Sequence, residues 1–348
     1  MRAIVWAFAL VTFSATGLLL AQEQPAESPR ETPIQIDVNV VNVPVTITDK
    51  QGRFLVDLAK DDFELFENGK KVEIRYFTGG SVQEAKPPLR AGFLIDLSNS
   101  ARLYYKTYKD SIGDLAYTLL PEGGKNKGFL IGYHTEVDTL VDYTNEPYML
   151  SERMENLKHG GGAAMFDAIY EACTEKLANE KYEGPGDPRK VIVIVGDGHD
   201  NASKRTIDEV IHAAQKAQVT IYAVSTVAWG FHNSEEANLI RMADATGGRI
   251  ARPMDDVHKD VSGYLSKPQD AGNYALTVGT GLYAQAQLQA LYKAILAVAG
   301  DVQSQYVLGY NPLAPFSDRS YRKIEVKVRL SASADIEVRH RQGYYPPD

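Results

Sequence analysis

The stretch that most constrains the fold is AGFLIDLSNS, residues 91–100. Phe93, Leu94 and Ile95 are apolar at consecutive positions, as in a strand covered on both faces; a half-exposed strand would alternate. The run ends on oxygen-bearing side chains at alternate positions, Asp96, Ser98 and Ser100, and a helix is predicted from Leu103. Open α/β sheets hold their ligand crevice at the carboxyl ends of such strands. A carboxylate and two hydroxyls there are hard donors, suited to magnesium, calcium or manganese rather than zinc or copper.

The rhythm continues over residues 89–257. Strands are predicted at Gly92–Leu97, Gly128–His134, Val191–Val195 and Thr220–Ser225, with weaker ones near Glu136–Val141 and Arg249–Ala251. Helices are predicted at Leu103–Leu120, Met149–Leu157, Ala164–Lys181, Thr206–Ala217 and Glu235–Thr246, the last closed by a glycine cap at Gly247-Gly248. Alternating strands and helices give a mainly parallel sheet with helices on both faces. Residues 258–285 lose the period and read as an inserted loop before a helix at Ala286–Ala299.

The Asp96-x-Ser98-x-Ser100 pattern resembles the metal-ion-dependent adhesion site of von Willebrand factor type A domains. Gly161-Gly162-Ala163-Ala164-Met165-Phe166-Asp167 is similar to that family's GGT-A-x-x-D stretch, and Val195-Gly196-Asp197-Gly198 to its T-D-G stretch. The resemblance implies that Ser98 and Ser100 bind an ion directly while Asp96 and Asp197 act through water or hydrogen bonds. The ion would be Mg2+, or Ca2+ or Mn2+, and its vacant position would take an Asp or Glu of a protein or peptide partner. The expected threonine is Ala163, whose methyl cannot coordinate, so the adhesion site is incomplete; magnesium tolerates several waters in its shell. On the plainer reading, the four residues form a hydrogen-bonded cap on the strand ends and hold no ion.

Other polar groups lie near in sequence. His199 is a candidate rim contact, although a lone histidine in a turn is more often neither ligand nor base. Asp200 is a second rim candidate that could instead cap the following helix, and Asn201 could bind the turn. Tyr104, Tyr105 and Tyr108 follow Ser100 on a predicted helix; some could rim the crevice, and at least one should pack into the core.

Both ends of the chain look different. Residues 1–21 have an early Arg, a long apolar stretch and Ala21 before a polar segment, the pattern of a signal peptide. Leu19 stands where a small residue is preferred, so an uncleaved membrane anchor is the alternative. Residues 22–33 are a polar, Pro-rich spacer. Residues 34–88 read as a β segment: a strand from Ile34 with a register slip near Val41-Asn42, Pro44 at an edge position, and a hairpin around Asn68-Gly69 pairing back over Lys71–Phe77. Residues 304–348 return to strands at Gln305–Tyr310, Tyr321–Leu330 and Ile336–His340. The two β segments should form one small sandwich, with the α/β domain (89–303) inserted between its halves. This layout resembles the VWFA-related acidobacterial domain family of exported proteins, on TDKQGRFLVDLAKDDFELFENGKKVEI at the start, FLIDLSNS and VGDGHDNAS in the middle, and QYVLGYNP, YRKIEVKV and RQGYY at the end. It implies a fold and secretion or a periplasmic location, and no particular activity.

Composition narrows the function. A formal charge of −8 without a Lys/Arg cluster argues against nucleic acid. The single cysteine, Cys173, allows no internal disulfide and reads as a small buried hydrophobe. There is no His-Glu-x-x-His, nucleophile elbow or phosphate-binding Gly-Lys-Ser/Thr loop, and Gly279-Thr280-Gly281 lacks the βαβ context of a dinucleotide site. The expectation is a non-enzymatic, adhesion-type binding protein that touches a membrane only through an uncleaved leader. A metal-independent envelope scaffold is the second reading, and a hydrolase the third.

Overall fold

The computed structural model describes residues 40–348, except 80–85, 104, 181, 183–186, 228–233, 254–280, 331–334 and 348. Everything described falls in one compact unit. Four antiparallel strands pair the two ends of the chain in one sheet. They are β1 (Val41–Asp49), the sheet-switching β4 (Tyr76–Thr78), and two strands from the far end, β11 (Tyr306–Tyr310) and β13 (Ile336–His340), in the order β13-β1-β11-β4. A second antiparallel sheet has the order β14-β12-β2-β3, from Gly343–Tyr344, Arg322–Val328, Phe63–Glu67 and Lys70–Val72. Val43, Val45 and Ile47 from the first sheet share a buried core with Phe63, Leu65, Ile324 and Val326 from the second.

The α/β part is a six-stranded sheet of order β10-β9-β8-β5-β6-β7. Its central strand, β5 (Leu89–Asp96), is buried at every position and runs parallel to β6 (Lys127–Tyr133) and β8 (Arg189–Gly196). The strands β9 (Val219–Ser225) and β10 (Ile250–Ala251) continue the parallel order, whereas β7 (Val137–Thr144) is antiparallel and closes the edge. Side-chain alternation divides the core in two. Phe93 and Ile95 pack with Ile112 and Leu115 of α1 (Tyr105–Leu119), Leu150 of α2 (Pro147–Met154) and Leu291 and Ile295 of α6 (Gly281–Gln303). Leu94, Ile192 and Ile194 face Met165 and Ile169 of α3 (Met165–Glu171), Val210 of α4 (Ile207–Ala217) and Met242 of α5 (Glu236–Thr246).

Local chemistry sets the helix ends. Thr206 and Glu209 form a reciprocal capping box at the start of α4. Gly247 ends α5 in the left-handed region (φ 80°), and a Cβ on the adjacent Gly248 would lie 1.9 Å from the Ile221 carbonyl oxygen. The helix α3 runs into a π turn at Ala172–Leu177, where Cys173 is buried and its thiol is pushed up to about 12 by burial.

The α/β sheet with its layered helices and accompanying antiparallel sheets agrees with the expected fold class. The expected edge position of Pro44 holds locally: β1 pairs with β11 over Val41–Val45, but β13 joins only from Val45 onward, so Pro44 has one side unpaired. Two details differ. The hairpin around Asn68 and Gly69, both at positive φ, pairs only to Val72; Tyr76–Thr78 crosses to the other sheet and pairs with β11. The last long helix starts at Gly281, inside the expected loop.

The predicted leader, the spacer, the strand onset at Ile34 and most of the predicted 258–285 loop lie outside the described residues. Among the described residues, no helix is long and apolar enough to cross a membrane.

Candidate functional site

Three loops meet at the carboxyl end of the central strands. The first follows β5: Asp96 and Ser98 are buried (5% and 3% exposed) and Ser100 is exposed. Asp96 Oδ1 accepts the Ser98 N–H at 2.8 Å, and the Ser98 and Ser100 hydroxyl oxygens are 2.9 Å apart. The second loop precedes α3 and is tied to the first, with the Gly160 N–H donating to the Leu97 carbonyl and the Asn99 N–H to the Gly161 carbonyl. The third follows β8. There Asp197 Oδ1 accepts the His199 N–H at 2.9 Å, the same local turn that Asp96 makes with Ser98.

The first and third loops are neighbours. Strands β5 and β8 run in parallel register up to Ile95 opposite Val195. A Cβ built on Gly196 would stand 3.7 Å from Asp96 Oδ2 and 2.6 Å from the hydroxyl of Tyr133. Burial pushes the Asp96 carboxyl up to about 6; the Ser98 hydrogen bonds lower it, and the charge of Asp197 raises it further. Tyr133, at 1% exposure, is held well above its ordinary value by burial and by the charges of Asp96, Asp197 and Asp200. The His199 imidazole is raised, chiefly by its hydrogen bond to Glu235.

All the donors here are hard oxygens. In an octahedron with metal–oxygen distances near 2.1 Å, adjacent ligand atoms stand about 3.0 Å apart; the serine oxygens have that spacing. A cation beside them would also offset the unfavourable burial of the Asp96 charge. The residues therefore fit a small divalent ion. Among the described residues, no group of three or more His, Cys, Asp or Glu could hold a metal, so any such site relies on the serines.

Residues 92–261 match the family model for the von Willebrand factor type A domain. The chain carries a von Willebrand factor type A domain. No curated protein matches the chain. Among solved structures, it is similar to the vWF domain of the type V pili tip protein Mfa5 from Porphyromonas gingivalis, at 21% identity over 32% of this chain and 38% of that one, TM-score 0.29. Proximal thread matrix protein 1 from the mussel byssus is 14% identical over 65% of this chain and 49% of that one, TM-score 0.44. BatB from Bacteroides thetaiotaomicron is 14% identical over 57% and 99%, TM-score 0.37. The chain spans less than half the length of the first two.

Within the type A domain, Ala163 is buried and fixed by its backbone. Its N–H donates to Asn201 Oδ1 at 2.8 Å, and its carbonyl accepts the N–H groups of Asn201 and Ala202. The carboxamide of Asn201, read from sequence only as a turn residue, thus holds the loop on which a threonine was expected. Thr135, which sequence reasoning passed over, accepts the Gly162 N–H on the same loop.

The rim expectations change. The Asp200 carboxylate accepts the Phe166 N–H at 2.8 Å and the Ser203 hydroxyl at 2.6 Å, so it caps α3 rather than the helix that follows it. Tyr105 and Tyr108 are both buried, with Tyr105 donating to the Met154 carbonyl, so neither rims the crevice. Tyr104 lies outside the described residues. His199 is half-exposed beside Asp197, paired with Glu235.

Proposed function

We propose that this is an exported binding protein whose type A domain engages an acidic side chain of a protein or peptide partner through a divalent cation, Mg2+ or alternatively Ca2+ or Mn2+. Ser98 and Ser100 would hold the ion directly, with Asp96 and Asp197 orienting the rest of its oxygen shell. Bound there, the ion supplies a fixed positive charge that attracts a carboxylate. The chain's own part is to present the oxygens on a rigid, buried strand end, so that little ordering is required on binding. The observation that carries the reading is the serine pair, 2.9 Å apart, beside a buried carboxylate whose burial disfavours its charge. The apolar leader at residues 3–20 supports export. Binding rather than catalysis is supported by the type A domain over residues 92–261, such domains being typically interaction modules.

The test is ion-dependent stabilisation of the purified full chain. Ligand at about a hundred times its dissociation constant adds about 2.7 kcal/mol, so the melting temperature should rise with magnesium or manganese and return with chelator. The loaded protein should then retain peptides bearing Asp or Glu over their Asn or Gln counterparts. An unchanged melting temperature at millimolar-range ion would leave the metal-independent scaffold as the reading; equal retention of the amide peptides would remove the acidic-partner assignment.

A further inference from the structure

Tyr133 is a buried tyrosine whose hydroxyl lies beside the candidate site. It ends β6 opposite Asp96 on β5, so the two side chains leave the sheet on the same face. The residue is 1% exposed. Buried hydroxyls are ordinarily paired. The space around it is specific: a Cβ on Gly196 would come 2.6 Å from this hydroxyl and 3.7 Å from Asp96 Oδ2. Gly196 is therefore the residue that admits the phenol, and the hydroxyl and the carboxylate share one small volume beneath the loops. The ring packs with Leu94, Phe129 and Ile131, while the charges of Asp96, Asp197 and Asp200 act on the phenol.

We infer that Tyr133 is a positioning residue of the cation site, its hydroxyl donating to the Asp96 carboxylate when an ion is bound. This rests on the ion-binding reading above. The contact would come from within the sheet, while Ala163 leaves the rim one hydroxyl short. A carboxylate facing a cation is oriented by the donors behind it, and loss of such an outer partner typically weakens metal affinity ten- to a hundredfold. Removing the hydroxyl leaves the packing of the ring in place, so the fold should hold without the ion.

The experiment compares the full chain with Tyr133→Phe and Gly196→Ala. Manganese affinity is measured by calorimetry, melting in chelator, and tyrosine absorbance by difference spectroscopy on ion addition. Tyr133→Phe should melt no lower than the parent in chelator and bind manganese at least about tenfold more weakly. It should also lack the tyrosine difference band that ion binding produces in the parent, a signal that a merely structural role would not create. Gly196→Ala, whose methyl displaces the hydroxyl, should weaken binding similarly and add little on top of Tyr133→Phe, as expected of two changes to one contact. If the parent binds manganese and Tyr133→Phe binds equally well, or keeps the difference band, the positioning role is wrong and the ion site stands. If the parent binds no ion, both fall together.

Discussion

Replacing Asp96 by Asn should stabilise the ion-free protein while abolishing its response to magnesium. The Asp96 carboxyl is 5% exposed and raised from 3.8 to about 6, chiefly by burial. Each pKa unit corresponds to about 1.4 kcal/mol, so the ionised native state carries a penalty of up to roughly 3 kcal/mol. The sign follows from proton linkage. Below the ordinary carboxylate value both folded and unfolded chains are protonated, and no penalty exists. Between about pH 4 and 6 the unfolded chain ionises while the native one resists, so stability falls as pH rises, and above about 6 the loss is complete. Asparagine keeps the shape, and its carbonyl can still accept the Ser98 N–H. Urea denaturation in chelator at about pH 7.5 should therefore give Asp96→Asn a gain of roughly 1–3 kcal/mol, closing to near zero by about pH 4. Adding magnesium should raise the parent and leave the variant unmoved. A variant less stable than the parent at neutral pH in chelator, or a gap that persists in acid, would refute the argument from burial.

Two further outcomes follow from the same geometry. Ala163→Ser places a hydroxyl on the loop held by Asn201, and manganese affinity measured by calorimetry should rise about tenfold, a gain of about 1.4 kcal/mol; no change would mean that the loop does not face the ion. Gly248→Ala sets a Cβ 1.9 Å from the Ile221 carbonyl oxygen and should cost roughly 3 kcal/mol or more in urea unfolding, through forced separation of α5 from β9. A loss below about 1 kcal/mol would show that this junction yields easily.

The parallel strands were legible because burial on both faces leaves continuous apolar runs, as at Phe93–Ile95 and Val191–Val195. The glycine stop at Gly247 is a local signal and falls where the pattern puts it. What escaped was non-local. The sheet switch between Val72 and Tyr76 depends on β11, more than two hundred residues downstream. That β13 pairs with only the second half of β1, and not with the half that holds Pro44, is likewise set by a distant strand. In the site, the Asp-x-Ser-x-Ser signature is contiguous and could be read directly. The hold of Asn201 on Ala163 and the fit of Tyr133 against Gly196 join separate segments, and no spacing rule connects them. The misreading of Asp200 has the same origin: its carboxylate could cap either of two helices, and the one behind it in the chain won.

The pairing of β1 with β11 and β13 has a consequence for biogenesis. Val41 meets Tyr310 and Thr46 meets Arg339, so the first described strand can find neither neighbour until the chain has been made past those distant residues. Such distant closure is slow and leaves an apolar edge waiting, exposed to unwanted pairing. The interposed domain, by folding first on its own nearer contacts, would shorten that search by drawing its two ends together.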